Sequence, residues 1–361
     1  MEKRVKKSKI ITLLKFAVLA ASLATVCGNL LYSPGAVRIN PHYLVGTREN
    51  RGHLRDLFTL LAEWNSADST FAIVREIANN LAREGEYQRL IHFLSGRTIN
   101  YPGDPFNSYY LLMIAYAYQQ MDSLPVAIRY FDLIVRNYPD LIIAGESIHL
   151  TCLQQLVNLT DDWGQRVWYY QEMISRFPGN INLGSAWFML AQAYERTGDW
   201  TGAIQAYTRY LPLAGSAIPG FPNAREHARQ QVDLNNSPKD WTFESLPALV
   251  AAVQNALEDG NATRLMSYQT RVSFFIRSWE QRETVSPRIV DLRLAHFMRS
   301  STVHWADRVE TSSNANEAFL RTWGWPQIST WYFYFRKINF PADPEIHGRW
   351  EWAGIYYGEK F

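Results

Sequence analysis

Cysteine is almost missing from this chain of 361 residues, which contains only Cys27 and Cys152. Two cysteines exclude a fold that depends on a framework of disulfides. Several enzyme motifs are missing too: there is no glycine-rich phosphate loop, no G-x-S-x-G and no H-E-x-x-H. None of the eight histidines lies three or four residues from another, so no helix carries a local pair of histidine ligands for a metal. We therefore expect a protein without metal or cofactor that is not an enzyme.

A basic surface is missing as well. The formal charge of +2 comes from the first 26 residues, where six lysines and arginines stand against Glu2 alone. Without that segment the net charge is near −3, so we expect no nucleic-acid partner. A hydrophobic content of 47% with 19% charged residues is typical of a globular protein and excludes general disorder.

Residues 1–27 predict a signal peptide or a membrane anchor. A basic start is followed by an apolar run over residues 16–26 and then by Cys27. This order resembles a bacterial lipoprotein signal, which implies that Cys27 is lipidated and becomes the new N-terminus. An uncleaved anchor and cleavage after Ala24 are the alternatives. All three place the protein in the cell envelope, facing the periplasm or the outside, and two of them attach it to the membrane.

A unit that recurs along the chain is seen first between Ser108 and Pro139, where two helix-length apolar patterns are separated by a short break. Ala115 and Ala127 are small where two antiparallel helices would approach closely. Such a hairpin cannot bury its apolar face alone, so it implies neighbours of the same kind. A further copy has the spacing W-x2-L-A-x2-Y from Trp187 to Tyr194.

This spacing resembles the tetratricopeptide repeat, whose pattern is W-x2-L-G-x2-Y…A-x3-F…P. The second helices of successive units recur at intervals of 37, 39 and 37 residues. The units cover residues 71–102, 108–139, 147–178 and 184–212. The resemblance implies an all-α superhelix, which we place at residues 51–234 with a capping helix at each end. Asn223 is expected to cap the last helix, over residues 224–234, and residues 28–50 are expected to form a tether.

The first helices of tetratricopeptide repeats form most of the concave side, which implies a protein or peptide partner there. Exposed polar residues of those helices are the candidates for partner binding, and a solvated helix face is the alternative for each. The candidates are Asn79, Asn80, Arg83, Gln119, Gln120, Gln192 and Arg196.

Residues 241–361 differ in composition, since eight of the thirteen tryptophans lie at or beyond Trp241. The polar stretch 235–240 marks the boundary. We expect a helix from Ser245 to Gly260 and a short helix over 262–268. Runs of strand-forming residues then predict a smaller α+β domain with a curved antiparallel sheet. The predicted strands are 271–279, 285–294, 302–309, 330–340 and 349–357, with another helix at 314–320.

This order of elements resembles the cone-shaped nuclear-transport-factor-like fold, which implies a cavity between sheet and helices. A sheet packed directly on its helices is the alternative. Aromatic residues bind flat or apolar ligands, and the candidates are Trp331, Tyr334 and Trp352. If this domain did catalyse a reaction, the acid–base candidates would be His304, Asp307 and Glu351.

The sequence thus predicts an exported, lipid-anchored tetratricopeptide-repeat scaffold that mediates protein–protein interaction in the bacterial cell envelope. The alternative is an adaptor in a transport or envelope-assembly system. In that case the C-terminal domain binds a small apolar or aromatic ligand or acts as an enzyme.

Overall fold

A computed structural model describes residues 39–64, 66–215, 217–279 and 294–358. The chain divides between Gly96 and Arg97 into two compact units, and each is described by itself. The predicted export segment at residues 1–27, with Cys27, lies outside the described residues. So does nearly all of the strand predicted at 285–294.

The first unit is helical. A short 3-10 helix at Pro41–Tyr43 precedes α1 (Arg48–Glu63) and α2 (Ala67–Arg83), and α3 (Tyr87–Asn100) runs across the division between the units. Thr47 and Ser66 begin α1 and α2, because their side chains accept hydrogen bonds from backbone N–H groups of the first turn. Leu54 and Leu57 of α1 are buried, as are Val74, Ile77 and Leu81 of α2, which gives each helix a buried apolar face.

The second unit begins with a series of helices in which each packs on the next. A small β-hairpin, whose strands β1 (Ile142–Ile143) and β2 (Glu146–Ser147) have two residues each, lies between the second and third helices of this series. The helices are α4 (Asn107–Gln120), α5 (Leu124–Asn137), α6 (Ile148–Leu159), α7 (Trp163–Arg176), α8 (Leu183–Thr197), α9 (Trp200–Tyr210) and α10 (Ala224–Asn236). The helix α10 begins where predicted, but Asn223 makes no side-chain capping bond, so that prediction is wrong. The backbone of Asn223 is not in the extended form that places a capping side chain over the first turn.

Buried small residues bring the helices of each hairpin together. Ala115 and Ala127 have no exposed surface, and neither has Ala191, while Ala203 is almost as buried. The contact between α6 and α7 also includes a buried polar residue, His149. The ring of His149 is buried, with Nε2 2.9 Å from the carbonyl of Tyr138 and Nδ1 2.6 Å from Nη2 of Arg176. A carbonyl only accepts and a guanidinium only donates, so His149 is neutral with its proton on Nε2.

The described part of the C-terminal region combines helices with one sheet, as the sequence predicts, although the helix at 294–300 is not among the predicted ones. The helices are α11 (Leu246–Glu258), α12 (Ala262–Ser267) and α13 (Leu294–Ser300). The strands are β3 (Phe275–Ser278), β4 (His304–Trp305), β5 (Glu317–Trp323), β6 (Thr330–Lys337) and β7 (Trp350–Tyr357). Ser245 begins α11 by accepting a hydrogen bond from the N–H of Ala248 at 3.3 Å.

The sheet is mixed, with the strand order β3-β7-β6-β5-β4. Three of its pairs are antiparallel, but β3 lies parallel to β7, so the prediction of a purely antiparallel sheet is wrong for this pair. The helix predicted at 314–320 is also wrong, because β5 begins at Glu317. Asn314 has the side-chain bonds of a helix cap, to the N–H groups of Asn316 and Glu317, yet they form a turn that leads into the strand.

Two clusters form the core of this region. One face of the sheet packs Leu320, Phe333 and Trp352 against α11 and α12. The second cluster joins α10 to the sheet region, because Leu234 packs with Trp241 and with residues of the segment 338–346. The helical repeats and the sheet region therefore share a buried apolar contact within the second unit.

Candidate functional site

The hairpins α4–α5 and α8–α9 are two copies of one unit, with equivalent residues 76 positions apart in the sequence. Both hairpins turn through a left-handed residue, which is Asp122 at φ 57° in the first and Gly198 at φ 80° in the second. This register relates the two copies residue by residue, so that Tyr118 corresponds to Tyr194.

One side of α8 faces a polar cluster. Nε2 of Gln192 donates to the hydroxyl of Tyr207 and, at 3.1 Å, to Oε2 of Glu195. The same hydroxyl lies 3.1 Å from Nε2 of His227 on α10. Burial, and then the charge of Glu195, raise the pKa of Tyr207 well above its usual value, so this phenol stays neutral. The cluster holds α8, α9 and α10 together, and Gln192 is one of its members.

The opposite side of α8 borders a cavity of about 340 Å³. Its floor is α8 and its walls are the second helices α7 and α9. The lining residues are Gln171, Ile174, Ser175, Trp187, Leu190, Tyr194, Gly202, Gln205, Ala206 and Arg209. Trp187, Leu190 and Tyr194 are spaced by three and four residues and so share a face of α8. Gln192 is about 200° around the helix from Leu190, which places the cavity and the polar cluster on different sides.

The cavity exists because two residues of α9 that face it, Gly202 and Ala206, are smaller than those at the equivalent positions of α5. In the first hairpin Tyr118 stacks on Tyr130, with ring centres 5.5 Å apart and planes inclined by 21°. The residue equivalent to Tyr130 is Ala206, so Tyr194 has no such ring beside it. Gly202 also allows the approach of Tyr194, since a Cβ at this glycine would lie 2.9 Å from Cδ1 of the ring.

Four of the predicted partner-binding residues belong to the second compact unit, residues 97–361, and lie near the ends of α4 and α8. Gln120 and Arg196 occupy equivalent positions and are both exposed. Gln119 is half-buried. Gln192 is half-buried and bonded within the polar cluster, so its amide is already engaged. The guanidinium of Arg196 lies 5.5 Å from the ring centre of Trp163.

The three partner-binding candidates in the first compact unit, residues 1–96, differ in exposure. Arg83 is exposed and its Nη2 is 3.0 Å from Oε1 of Glu76, while Asn79 is half-buried. Asn80 is buried, contrary to the expectation of an exposed residue. It lies beside the buried Ile77 at the edge of the apolar stripe, and its amide donates to the carbonyl and carboxylate of Glu76.

The predicted ligand-binding residues do not converge on one site. Trp331 stacks on Trp325 at 4.3 Å in the core between sheet and helices, and Trp352 is fully buried in that same core. Tyr334 points to the other face of the sheet, where its hydroxyl donates to Oε2 of Glu317 at 3.2 Å. Burial and the charge of Glu317 raise the pKa of Tyr334 to about 12.

The acid–base candidates are also separate. Glu351 is buried, and its two oxygens accept from Nε of Arg336 at 2.7 Å and Nε1 of Trp241 at 2.8 Å. His304 and Asp307 are exposed. Within the residues that the structure describes, no hydrogen bond or ion pair joins the three. Glu351 thus links the sheet to Trp241, a structural contact.

Among the described residues, no three side chains of His, Cys, Asp or Glu are grouped so that they could hold a metal ion. In the parts of the chain that the structure describes, every helix is too short or too polar to cross a membrane. Cys152 is fully buried in α6, and burial raises the pKa of its thiol far above the usual value.

The sequence placed Trp187 and Tyr194 in the repeat spacing, and the cavity beside them was not predicted. A signal was present in the repeats themselves. Where α5 has Val126, Tyr130 and Leu133, α9 has a glycine, an alanine and an arginine. Comparison of the copies position by position would have shown that the second helix of the last hairpin is small and charged where the other is large and apolar.

Comparison with known proteins agrees with the repeat register. The family described as tetratricopeptide repeat matches residues 109–141 and 185–211. The first match covers most of α4 and all of α5, and the second covers most of α8 and all of α9. No curated protein matches the chain. The matches and the helical hairpins together support a tetratricopeptide-repeat protein, and such repeats suggest a scaffold for protein–protein interaction.

Proposed function

We propose that this protein is a non-enzymatic scaffold that binds protein partners along the first helices of its repeats. We propose further that it works in the bacterial cell envelope, anchored by a lipid on Cys27. The observation that carries the proposal is the pair of matched hairpins, each with an exposed polar residue at the same place, Gln120 and Arg196. Repeated positions of this kind let one extended partner contact successive repeats.

Site-specific cross-linking in the native cells tests the partner surface. A photoactivatable phenylalanine is placed at Gln120 or Arg196, and at Arg129 as the control, because Arg129 is exposed on the second helix α5. The same adduct is expected from Gln120 and Arg196, and none from Arg129. Different adducts at the two first-helix positions, or an equal yield at Arg129, would contradict the proposal.

The anchor is supported by the basic, apolar and cysteine segments at the start of the chain. Growth with radiolabelled palmitate should label the protein, and Cys27→Ser should abolish the label. Cys152 is the built-in control, since its buried neutral thiol is not available for acylation. Label that persists in Cys27→Ser, or that is lost in Cys152→Ala, would rule out lipidation at Cys27.

A further inference from the structure

We propose that the cavity between α7, α8 and α9 is a docking site for a segment of a partner protein. The segment carries a large apolar side chain next to an aspartate or glutamate. This inference rests on the proposed scaffold function but uses a different surface, because the cavity lies across α8 from Gln192 and Arg196. It gives the protein a second contact on its partners, on the side of α8 that faces the second helices α7 and α9.

The size and floor of the cavity suit a single apolar side chain. Its volume of about 340 Å³ is at the lower end for ligand pockets, which suits a peptide side chain better than a larger compound. Trp187 and Leu190 form the floor, with Ile174 on one wall and Ala206 on the other. The ring of Trp187 is only half-buried, so an incoming aromatic or leucine side chain would cover apolar surface that now faces solvent.

The polar part of the cavity favours a carboxylate. Arg209 is the only charged residue among the described residues that line it. In the described ranges of the chain, its guanidinium forms no ion pair or hydrogen bond. The hydroxyl of Tyr194 accepts from Nε2 of Gln171 at 2.7 Å, and its own proton has no acceptor among the described side chains. The guanidinium of Arg209 is a charged donor for an anionic group, and the phenolic O–H of Tyr194 is a second donor elsewhere in the lining.

The other hairpin shows how the same place is closed. There Tyr130 covers Tyr118, and Leu133 stands where Arg209 stands in the last hairpin. Both the opening and the positive charge are thus changes in α9 relative to a copy in the same chain. Since packing alone is satisfied by the residues of α5, the residues of α9 point to a ligand with both apolar and anionic character.

Peptide titration followed by fluorine NMR tests the site. The full chain is labelled with 5-fluorotryptophan, and the resonance of Trp187 is identified with Trp187→Phe. The probe is the acetylated and amidated hexapeptide Ala-Ser-Phe-Glu-Ser-Ala, compared with a Phe-Gln and an Ala-Glu version. The Phe-Glu peptide is expected to shift the Trp187 resonance saturably at millimolar concentration. About tenfold weaker binding is expected for each altered peptide, because each lacks one of the two contacts.

Two variants copy the closed hairpin into the open one. Ala206→Tyr should fill the cavity as Tyr130 does, and Arg209→Leu should remove the charge. Each should weaken the Phe-Glu peptide about tenfold. Arg129→Leu, an exposed arginine on α5, is the matched control and should bind as the wild type does. Thermal melting of Ala206→Tyr at or above the wild-type temperature shows that the variant is folded.

Three results would overturn the proposal: no saturable shift of Trp187, equal binding of the Phe-Gln peptide, or unchanged binding by both α9 variants. Binding only of a peptide with a free C-terminal carboxylate would also overturn it, because the site is assigned to an acidic side chain. The titration needs no natural partner, so its failure is separate from that of the cross-linking experiment. Loss of cross-links at Gln120 and Arg196 with intact peptide binding would remove the first-helix surface and leave this site.

Discussion

The hairpins α4–α5 and α8–α9 share one packing scheme but differ in what surrounds it. Ala115 and Ala127 in one hairpin correspond to Ala191 and Ala203 in the other, and all four are buried. These positions lie where the two helices cross, and a larger side chain would separate them. The residues next to them are free to differ. Phe131 and Tyr130 in α5 correspond to Tyr207 and Ala206 in α9.

That difference separates positions that specify the hairpin from positions that specify its surface. Phe131 packs edge-to-face on Tyr116, an aromatic contact with no polar partner needed. Its equivalent, Tyr207, bonds through its hydroxyl with Gln192 and with His227 on α10. The last hairpin thus has a polar cluster on one side and a cavity on the other, where the earlier hairpin has aromatic packing.

The largest effect is expected at the shared core. Phe131→Ala removes a ring with no exposed surface and should lower the free energy of unfolding by about 3–5 kcal/mol. Tyr207→Phe keeps the ring and removes only the hydroxyl, so it should cost about 1–2 kcal/mol. Urea unfolding followed by helical circular dichroism measures both. Equal losses in the two variants would show that the hydroxyl bonds of Tyr207 stabilise the last hairpin as much as the buried ring of Phe131 stabilises the earlier one.

Exchange of the residues that close or open the cavity should have the next largest effect. Tyr130→Ala removes the stack on Tyr118 from a half-buried site and should cost about 2 kcal/mol. The reverse change, Ala206→Tyr, should add about 0.5–1 kcal/mol through a new stack on Tyr194. The same unfolding measurement applies. A strong loss of stability in Ala206→Tyr would mean that the cavity cannot hold a ring, which would contradict the proposed fit of an apolar side chain.

A pH effect is expected in the hairpin that lies between these two. Burial lowers the pKa of His149 from its usual value of 6.5, which makes the folded chain bind fewer protons than the unfolded chain near and below that pH. The free energy of unfolding should therefore fall as the pH drops through 6.5, and this contribution is constant at higher pH. His149→Gln should unfold with a flatter dependence between pH 7 and pH 5. Identical slopes in variant and wild type would show that His149 is not the titrating group.

The smallest effect is expected at the turns. Gly198→Ala places a side chain on a left-handed residue and should cost about 1 kcal/mol. The equivalent Asp122 already has this conformation, so Asp122→Gly should relieve strain and stabilise the protein by less than about 1 kcal/mol. Thermal unfolding of the two variants measures the difference. A loss of stability in Asp122→Gly would mean that the aspartate side chain stabilises its turn by more than the strain costs.

Much of the repeat region was predictable because its signals are local. Helical spacing and small residues such as Ala115 give each hairpin its helices whatever lies around it. The same was true of α11, which begins at the capping residue Ser245. The strand β5 was not predictable in this way, because Asn314 looks like a helix cap. Only the pairing of β5 with β6, the next strand along the chain, makes an extended strand the better solution, through ladder bonds that lie outside the segment 314–320 itself.

The candidate residues show the same limit. Gln120 and Arg196 are exposed, as periodicity alone suggests, but Asn80, at the edge of the apolar stripe of α2, is buried. Whether a residue at the edge of an apolar stripe is covered depends on the neighbouring helix. The aromatic run at 331–335 likewise predicted a ligand site, whereas alternation along β6 sends Trp331 and Tyr334 to opposite faces.

By itself, the sequence determined the repeat unit, its register and the presence of a separate aromatic sheet region. Those features depend on spacing within about forty residues, and local periodicity encodes them directly. Only the tertiary structure decided that β3 joins the sheet in parallel beside β7 and that the last hairpin is open between its neighbours. Both features depend on contacts between segments that are far apart in the sequence. The volume of the cavity, in particular, is set by side chains from three helices at once, α7, α8 and α9.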